Sequence, residues 1–341
     1  MKPNFQAALA ALPLCMAFGA EAQSSVELYG VLDVGVQRSN NGVTHLNSES
    51  SNGNALASRL GFRGTEDLGD GLKAQFVLEN GLTPDTGAQA DAARFFNRRS
   101  TVALLGGWGE VRLGRDYTPT YWQLLTFDPF GTNGVAKVIT FDPALSNQAT
   151  AVRADNSVQY RLPGNLGGLQ GEVMVSANES TTGPTGNKYA GGRLGYVAGP
   201  VNVALAYGET TVTPLLNGSK VKELFVGGSY DFGLAKLSLN LADRKLGDNR
   251  RKFYQVGAVA PVSAAGAVKF SFVKYKNNSA ASDDATLIGL GYTHNLSRRT
   301  QLYATAARIK NDPAAAFAAG SLAAVAGKSS TGYEAGLRHS F

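Results

Sequence analysis

The sequence predicts an all-β chain, a transmembrane antiparallel β-barrel of about sixteen strands. Three observations predict it. Apolar and polar residues alternate with a period of two along nearly all of residues 23–341, and short connections alternate with long ones. No stretch in that range reaches the roughly 18 to 20 uninterrupted apolar residues that a membrane helix requires.

The first 22 residues are expected to form a secretory signal. Lys2 supplies the positive start, Ala7 to Phe18 the short apolar core, and Ala20-Glu21-Ala22 a small-residue cleavage site, so the exported chain would begin at Gln23. Cys15 is the only cysteine, and Leu14 precedes it where a lipoprotein signal wants Gly or Ala. Residues 23–341 therefore carry no thiol. Disulfide scaffolds, thiolate metal sites and cysteine nucleophiles are excluded together.

Alternation begins at once. Val26, Leu28, Leu32, Val34 and Val36 share one face of the first strand, and Glu27, Tyr29, Asp33 and Gln37 share the other. A soluble sandwich would bury such an apolar face against a second sheet. A membrane barrel turns it to lipid and keeps the polar face wet.

The connections choose between those two. Tight turns are expected at Asp67 to Gly71, Gly106 to Gly109, Pro163 to Gly168, Ala198 to Pro200, Asp231 to Leu234, Val262 to Gly266 and Asn295 to Arg299. Longer loops are expected between them at Ser39 to Asn54, Thr83 to Ala93, Thr118 to Thr150, Asn178 to Lys188, Thr210 to Lys220, Lys245 to Lys252, Lys276 to Asp284 and Lys310 to Ser330. Within the last of these, Pro313 to Gly327 is rich in Ala and Gly and reads as loop. Short turns on one side and long loops on the other are the asymmetry of outer-membrane barrels, and the count implies an even strand number with both ends on the periplasmic side. Closure follows, because nothing within a bilayer satisfies the open edge of a sheet. No domain boundary is visible.

The final segment, Thr331 to Phe341, sets Tyr333, Ala335, Leu337 and His339 against Gly332, Glu334, Gly336, Arg338 and Ser340, and ends on an aromatic residue. Tyr29, Tyr160, Tyr196, Tyr207, Tyr230, Tyr292, Tyr303 and Phe341 fall near predicted strand ends, where an interfacial girdle would place them.

A net charge of +6 and a pI near 9.3 raise the question of a nucleic-acid partner. Lys and Arg are scattered singly, with no basic run or basic-aromatic stripe, so none is expected. The charge fits a lumen or loops that favour anions. His45, His294 and His339 are far apart and lie in no zinc-peptidase motif, and neither a nucleophile elbow nor a dinucleotide fingerprint occurs. No enzymatic activity, metal or cofactor is expected.

At this point the residues resemble the general porin family of Gram-negative outer membranes, especially its betaproteobacterial type. Val26 to Asp33 (VELYGVLD), Ser58 to Gly69 (SRLGFRGTEDLG), Gly109 to Tyr117 (GEVRLGRDY) and the terminal strand ending at Phe341 carry the resemblance. It implies a general diffusion channel, passive and water-filled, for small hydrophilic solutes and inorganic anions. It further implies a homotrimer in outer-membrane lipid, with each barrel narrowed by an inward-folded third loop and the terminal strand serving as seam and insertion signal. The longest predicted loop, Thr118 to Thr150, is the third, and contains Phe127-Asp128-Pro129-Phe130-Gly131, similar to the family's constriction motif.

By matching segments, the wall arginines of the pore constriction would be Arg59 in SRLG, Arg98 in FNRR and Arg153 in VRADNSVQYR, with Asp128 as the loop acid and Asp142 further on. The doublet stays open. The matched motif favours Arg98, whereas the alternation of Ser100, Val102 and Leu104 sends Arg99 inward with Thr101 and Ala103. For any one arginine the plain alternative is a solvated strand end.

Overall fold

A computed structural model describes residues 25–50, 54–141, 150–177, 188–211, 220–278 and 283–341. The expected signal segment and Asp142 lie outside the described residues.

In chain order the strands are β1 (Ser25–Asn40), β2 (His45–Ser50), β3 (Arg59–Gly69), β4 (Leu72–Thr83), β5 (Ala88–Gln89), β6 (Arg99–Gly106), β7 (Gly109–Tyr117), β8 (Arg153–Arg161) and β9 (Leu169–Ser176). They continue as β10 (Lys188–Ala198), β11 (Val201–Thr211), β12 (Lys220–Asp231), β13 (Lys236–Leu246), β14 (Asn249–Pro261), β15 (Gly266–Asn277), β16 (Ala285–Asn295), β17 (Thr300–Asn311) and β18 (Ser330–Ser340). All but the short β2 and β5 form the wall, which therefore has sixteen antiparallel strands. β1 closes it. Val31 to Asn40 pair with Ser340 to Thr331 of β18, while Ser25 to Val31 pair with Thr65 to Arg59 of β3.

The alternation read from the sequence decides which face looks where. On β1, Val26, Leu28, Leu32 and Val36 are exposed, whereas Asp33, Gln37 and Ser39 are buried inside. The same division holds on β12, where Leu224, Val226 and Tyr230 point out and Val221, Glu223 and Phe225 point in. A face of exposed leucines and valines on every strand is stable only against hydrocarbon, and the closed ring of backbone hydrogen bonds makes the contact with hydrocarbon tolerable.

The aromatic girdle divides. Tyr196, Tyr207, Tyr230, Tyr292 and Phe341 are outward and exposed, as a girdle requires. Tyr29 and Tyr303 are instead inside: Tyr29 donates to Glu79 Oε2 at 3.3 Å and Tyr303 to Asp33 Oδ1 at 2.6 Å. Their parity along β1 and β17 overrides their nearness to a strand end. The loop expected over Lys245 to Lys252 is also absent. β13 and β14 run on to Leu246 and Asn249, joined by Gly247 and Asp248, with Gly247 in the left-handed region at φ +58°. Charged residues there sit in register across the hairpin, Asp243 holding Arg250, so polarity marked a solvated strand end and not a loop.

Between β7 and β8 lies the one α-helix among the described residues, α1 (Pro119–Phe127), inside the predicted third loop. Thr118 caps it, its hydroxyl accepting from Tyr121 N, and Pro119 occupies the first turn, where its missing N–H costs nothing. Its buried residues, Thr120, Gln123, Leu124 and Phe127 among them, face the inner side of the wall. Gln123 donates to Ala204 O at 3.0 Å and accepts from Arg193 Nε at 2.9 Å, and Asn240 donates to Leu124 O at 3.3 Å.

Glycines on the wall make room for this segment. A methyl group on Gly227 would overlap the Phe127 ring, one on Gly257 would overlap Pro129, and one on Gly289 would stand 2.6 Å from Ala136. Residues 119–138 are thus seated on the inner surface of β10 to β18 where glycines leave room for them. The space between is filled by an apolar cluster including Leu124, Phe130, Val135, Phe225, Leu287 and Ile309. Residues 312–329 form a loop without helix, and its Ala315, Phe317 and Ala319 join the same cluster.

Candidate constriction of the lumen

Residues 119–138 are seated against β10 to β18, and the sequence-matched arginines lie on the other arc of the wall, β3 to β9. Arg59, Arg99 and Arg153 each open a strand of that arc, β3, β6 and β8, at the long-loop end. Glu79, on β4, lies in register with Gly61 of β3 and Arg99 of β6.

Glu79 organises the group. Arg98 Nε approaches Glu79 Oε1 at 2.6 Å, Arg59 Nε lies 3.4 Å from Oε2, and Tyr29 donates to the same Oε2. Tyr117 supplies the second junction. Its hydroxyl accepts from Arg98 Nη2 at 3.1 Å and Arg153 Nη2 at 2.7 Å, and the Arg153 guanidinium also lies 4.2 Å from the tyrosine ring centre. Cation–π stacking of this kind holds a guanidinium in place without consuming its charge. Arg59 and Arg98 thus share one carboxylate, and Arg153 is tied to them through Tyr117.

Both members of the doublet are inside. Arg99 begins β6 and follows the alternation, reaching Asp116 Oδ2 at 3.1 Å. Arg98 precedes the strand in a bend, so strict alternation does not bind it and it turns to Glu79. A second layer continues toward the turns: Arg112 pairs with Asp116 and Glu110, each at 2.5 Å, and Arg161 with Glu172 at 3.2 Å. The two layers border a cavity of about 150 Å³ lined by Glu79, Arg98, Arg99, Arg112, Asp116 and Tyr117. Nε of Arg99 and Nε of Arg153 have no hydrogen-bond partner among the described residues.

Asp128 stands elsewhere. It lies buried in the loop, accepting from Phe130 N at 3.2 Å, Thr132 N at 2.8 Å and Gln255 Nε2 at 2.9 Å. Burial pushes its carboxyl above the usual carboxylate range, and these three hydrogen bonds oppose the shift. The arrangement pins the loop's turn to β14. None of these partners is one of the arginines, so the structure brings together Arg59, Arg98, Arg99 and Arg153 with Glu79 and Asp116, and leaves Asp128 apart. Glu79 was missed in the sequence. Its signal was present in the alternation of Phe76, Leu78 and Asn80, which sends Glu79 to the face carrying Arg59 on the neighbouring strand.

A family model described as Gram-negative porin matches residues 7–314. "Outer membrane porin protein 32" of Delftia acidovorans is 39% identical, with 98% of this chain and 99% of that protein covered. Among solved structures, "Anion-selective porin from Comamonas acidovorans" superposes with a TM-score of 0.82 at 36% identity, covering 94% of this chain and 100% of that one. A trimer form of OmpT, an outer membrane protein of Vibrio cholerae, shares the fold alone: TM-score 0.66 at 16% identity, over 93% and 99% of the two chains.

Proposed function

The chain belongs to the Gram-negative porin family, and from that premise we propose that its outer-membrane barrel is a passive, anion-preferring diffusion channel whose constriction is set by Arg59, Arg98, Arg99 and Arg153. One observation carries the selectivity: Arg59 and Arg98 share a single carboxylate, Glu79, while Arg153 binds the neutral Tyr117 hydroxyl, so the group keeps a positive excess. The protein wall has a low dielectric and focuses that field along the water column. Arginine keeps its charge at every working pH. A salt-gradient reversal potential of the purified protein in a planar bilayer tests the proposal: chloride preference supports it, and equal permeability to both ions refutes it.

Three companion assignments belong to the same proposal. Residues 1–22 are a signal segment removed on export, and residues 23–341 form the barrel. Small hydrophilic solutes and inorganic anions pass without chemical change. The barrels associate as a homotrimer, which mass measurement of the folded, detergent-solubilised protein decides.

A further inference from the structure

The cavity between the two arginine layers is completed by an aromatic ring. Trp122 of α1 lines it together with Arg98, Arg99, Asp116, Arg161 and Glu172. One side of α1 is held against β11 and β13, by Gln123 on Ala204 O and Asn240 on Leu124 O. The other side reaches β7: Tyr121 stacks on Tyr117 with 5.0 Å between ring centres, and Trp122 lies 6.1 Å from the same ring. Trp122 nevertheless stays 36% exposed. A large apolar ring left open among charges is a surface on which another flat apolar group can lie.

The ion pairs beside it present their cations. Asp116 and Glu172 keep only 8% and 7% of their side chains exposed, whereas their partners Arg99 and Arg161 keep 26% and 33%. A solute in the cavity therefore meets guanidinium edges, planar forks whose donors match a carboxylate. The space, about 150 Å³, is that of a cavity known to accept one benzene ring. Flat ring surface and carboxylate-binding forks thus border a volume of one-ring size.

We propose that this cavity is a transient binding site for single-ring aromatic carboxylates passing through the channel, the ring lying on Trp122 and the carboxylate held by Arg99 and Arg161. The proposal rests on the anion-channel reading and adds a substrate class to it. Charge admits the solute, and the indole distinguishes a flat ring, which it can stack on, from a saturated one, which it cannot.

The test records chloride current through the purified protein in a planar bilayer while benzoate or cyclohexanecarboxylate is added. Both acids are ionised at neutral pH and carry the same charge. The saturated ring has more apolar surface, so burial alone would favour it. Benzoate should instead halve the current at a roughly two- to tenfold lower concentration, the ratio that ring stacking supplies. Trp122→Leu should abolish or invert that ratio. If this variant does not insert, Trp108→Phe leaves Trp122 as the chain's one tryptophan, and its emission should change saturably with benzoate and not with cyclohexanecarboxylate. The chloride reversal potential is read on the same membranes. Native channels that prefer chloride but are blocked equally by the two acids, or better by the saturated one, overturn this site and leave the channel reading standing. Native channels without chloride preference overturn both. An unchanged ratio in inserted Trp122→Leu channels, or an emission that does not respond to benzoate, also overturns the site.

Discussion

Gly30 and Phe341 exchange both of their backbone hydrogen bonds, each 3.1 Å long, and the Phe341 ring lies over the space where a side chain on Gly30 would stand. The pair extends the β1–β18 ladder, which begins at Val31 and Ser340. The seam of the barrel is thus fastened at its turn end by two hydrogen bonds and one aromatic ring on the lipid side.

Deleting Phe341 removes both bonds and the ring together, and Gly30→Val forces the ring away. Both changes should lower the yield of folded barrel in the outer membrane severalfold. Conductance of the molecules that do fold should stay native, because neither residue lines the passage. Heat-modifiable mobility on gels measures the first quantity and single-channel recording the second. Normal yield with altered conductance would contradict the assignment.

Arg59→Glu together with Arg153→Glu changes the local charge by four units (two residues, two units each) without touching the lipid-facing surface. In a tenfold gradient of dilute salt, where perfect selectivity gives about 59 mV for a monovalent ion, the reversal potential should change sign toward cations. The Debye length is about 10 Å at 0.1 M and about 3 Å at 1 M, so the difference between native and variant should fade in concentrated salt. An inserted double variant that keeps its native reversal potential would move the selectivity to the outer loops.

Glu79→Gln tests the junction from the opposite side. Loss of its negative charge leaves Arg59 and Arg98 without a counterion, so anion preference should rise. The two guanidiniums also repel each other when uncompensated. Breaking a buried charge pair costs about 3–5 kcal/mol in a dry interior and less beside a water-filled passage, so the barrel should remain folded with a lower melting temperature. Unchanged selectivity would show that Glu79 carries no field into the pore.

Much of this was legible in the sequence, and the limits of legibility have physical causes. Wall strands announce themselves because each must alternate for its whole length between hydrocarbon and water, as Val26 to Gln37 do. The helix Pro119–Phe127 did not, since a nine-residue segment in a loop has too few turns to establish a period against its surroundings; the Thr118-Pro119 start was its only local mark. Arg98 escaped alternation because it precedes the strand, and Asp128 was placed by motif where its hydrogen bonds serve the loop's own turn. Position along a strand could be read, but position around the ring needed the pairing.

Asp128→Ala should loosen the turn of the loop, since it deletes acceptors for Phe130 N, Thr132 N and Gln255, each contributing about 1 kcal/mol. Open-channel current should become noisier. Shortening the loop over Asp128 to Gly131 should raise conductance and admit larger solutes. If neither conductance nor solute size limit changes, the passage is narrowed by another segment.

The glycines beneath residues 119–138 divide the labour of the barrel around its circumference. On β10 to β18, added bulk collides with the seated loop, as at Gly227, Gly257 and Gly289, and overpacking there costs about 1–3 kcal/mol per site. On β3 to β9 the inner side chains pair with one another, as Arg98 does with Glu79 and Arg112 with Asp116. Mutational tolerance should therefore follow the perimeter: one arc is a fixed housing whose residues answer to steric fit, and the other is a replaceable filter whose charges can be exchanged without rebuilding what holds the aperture open.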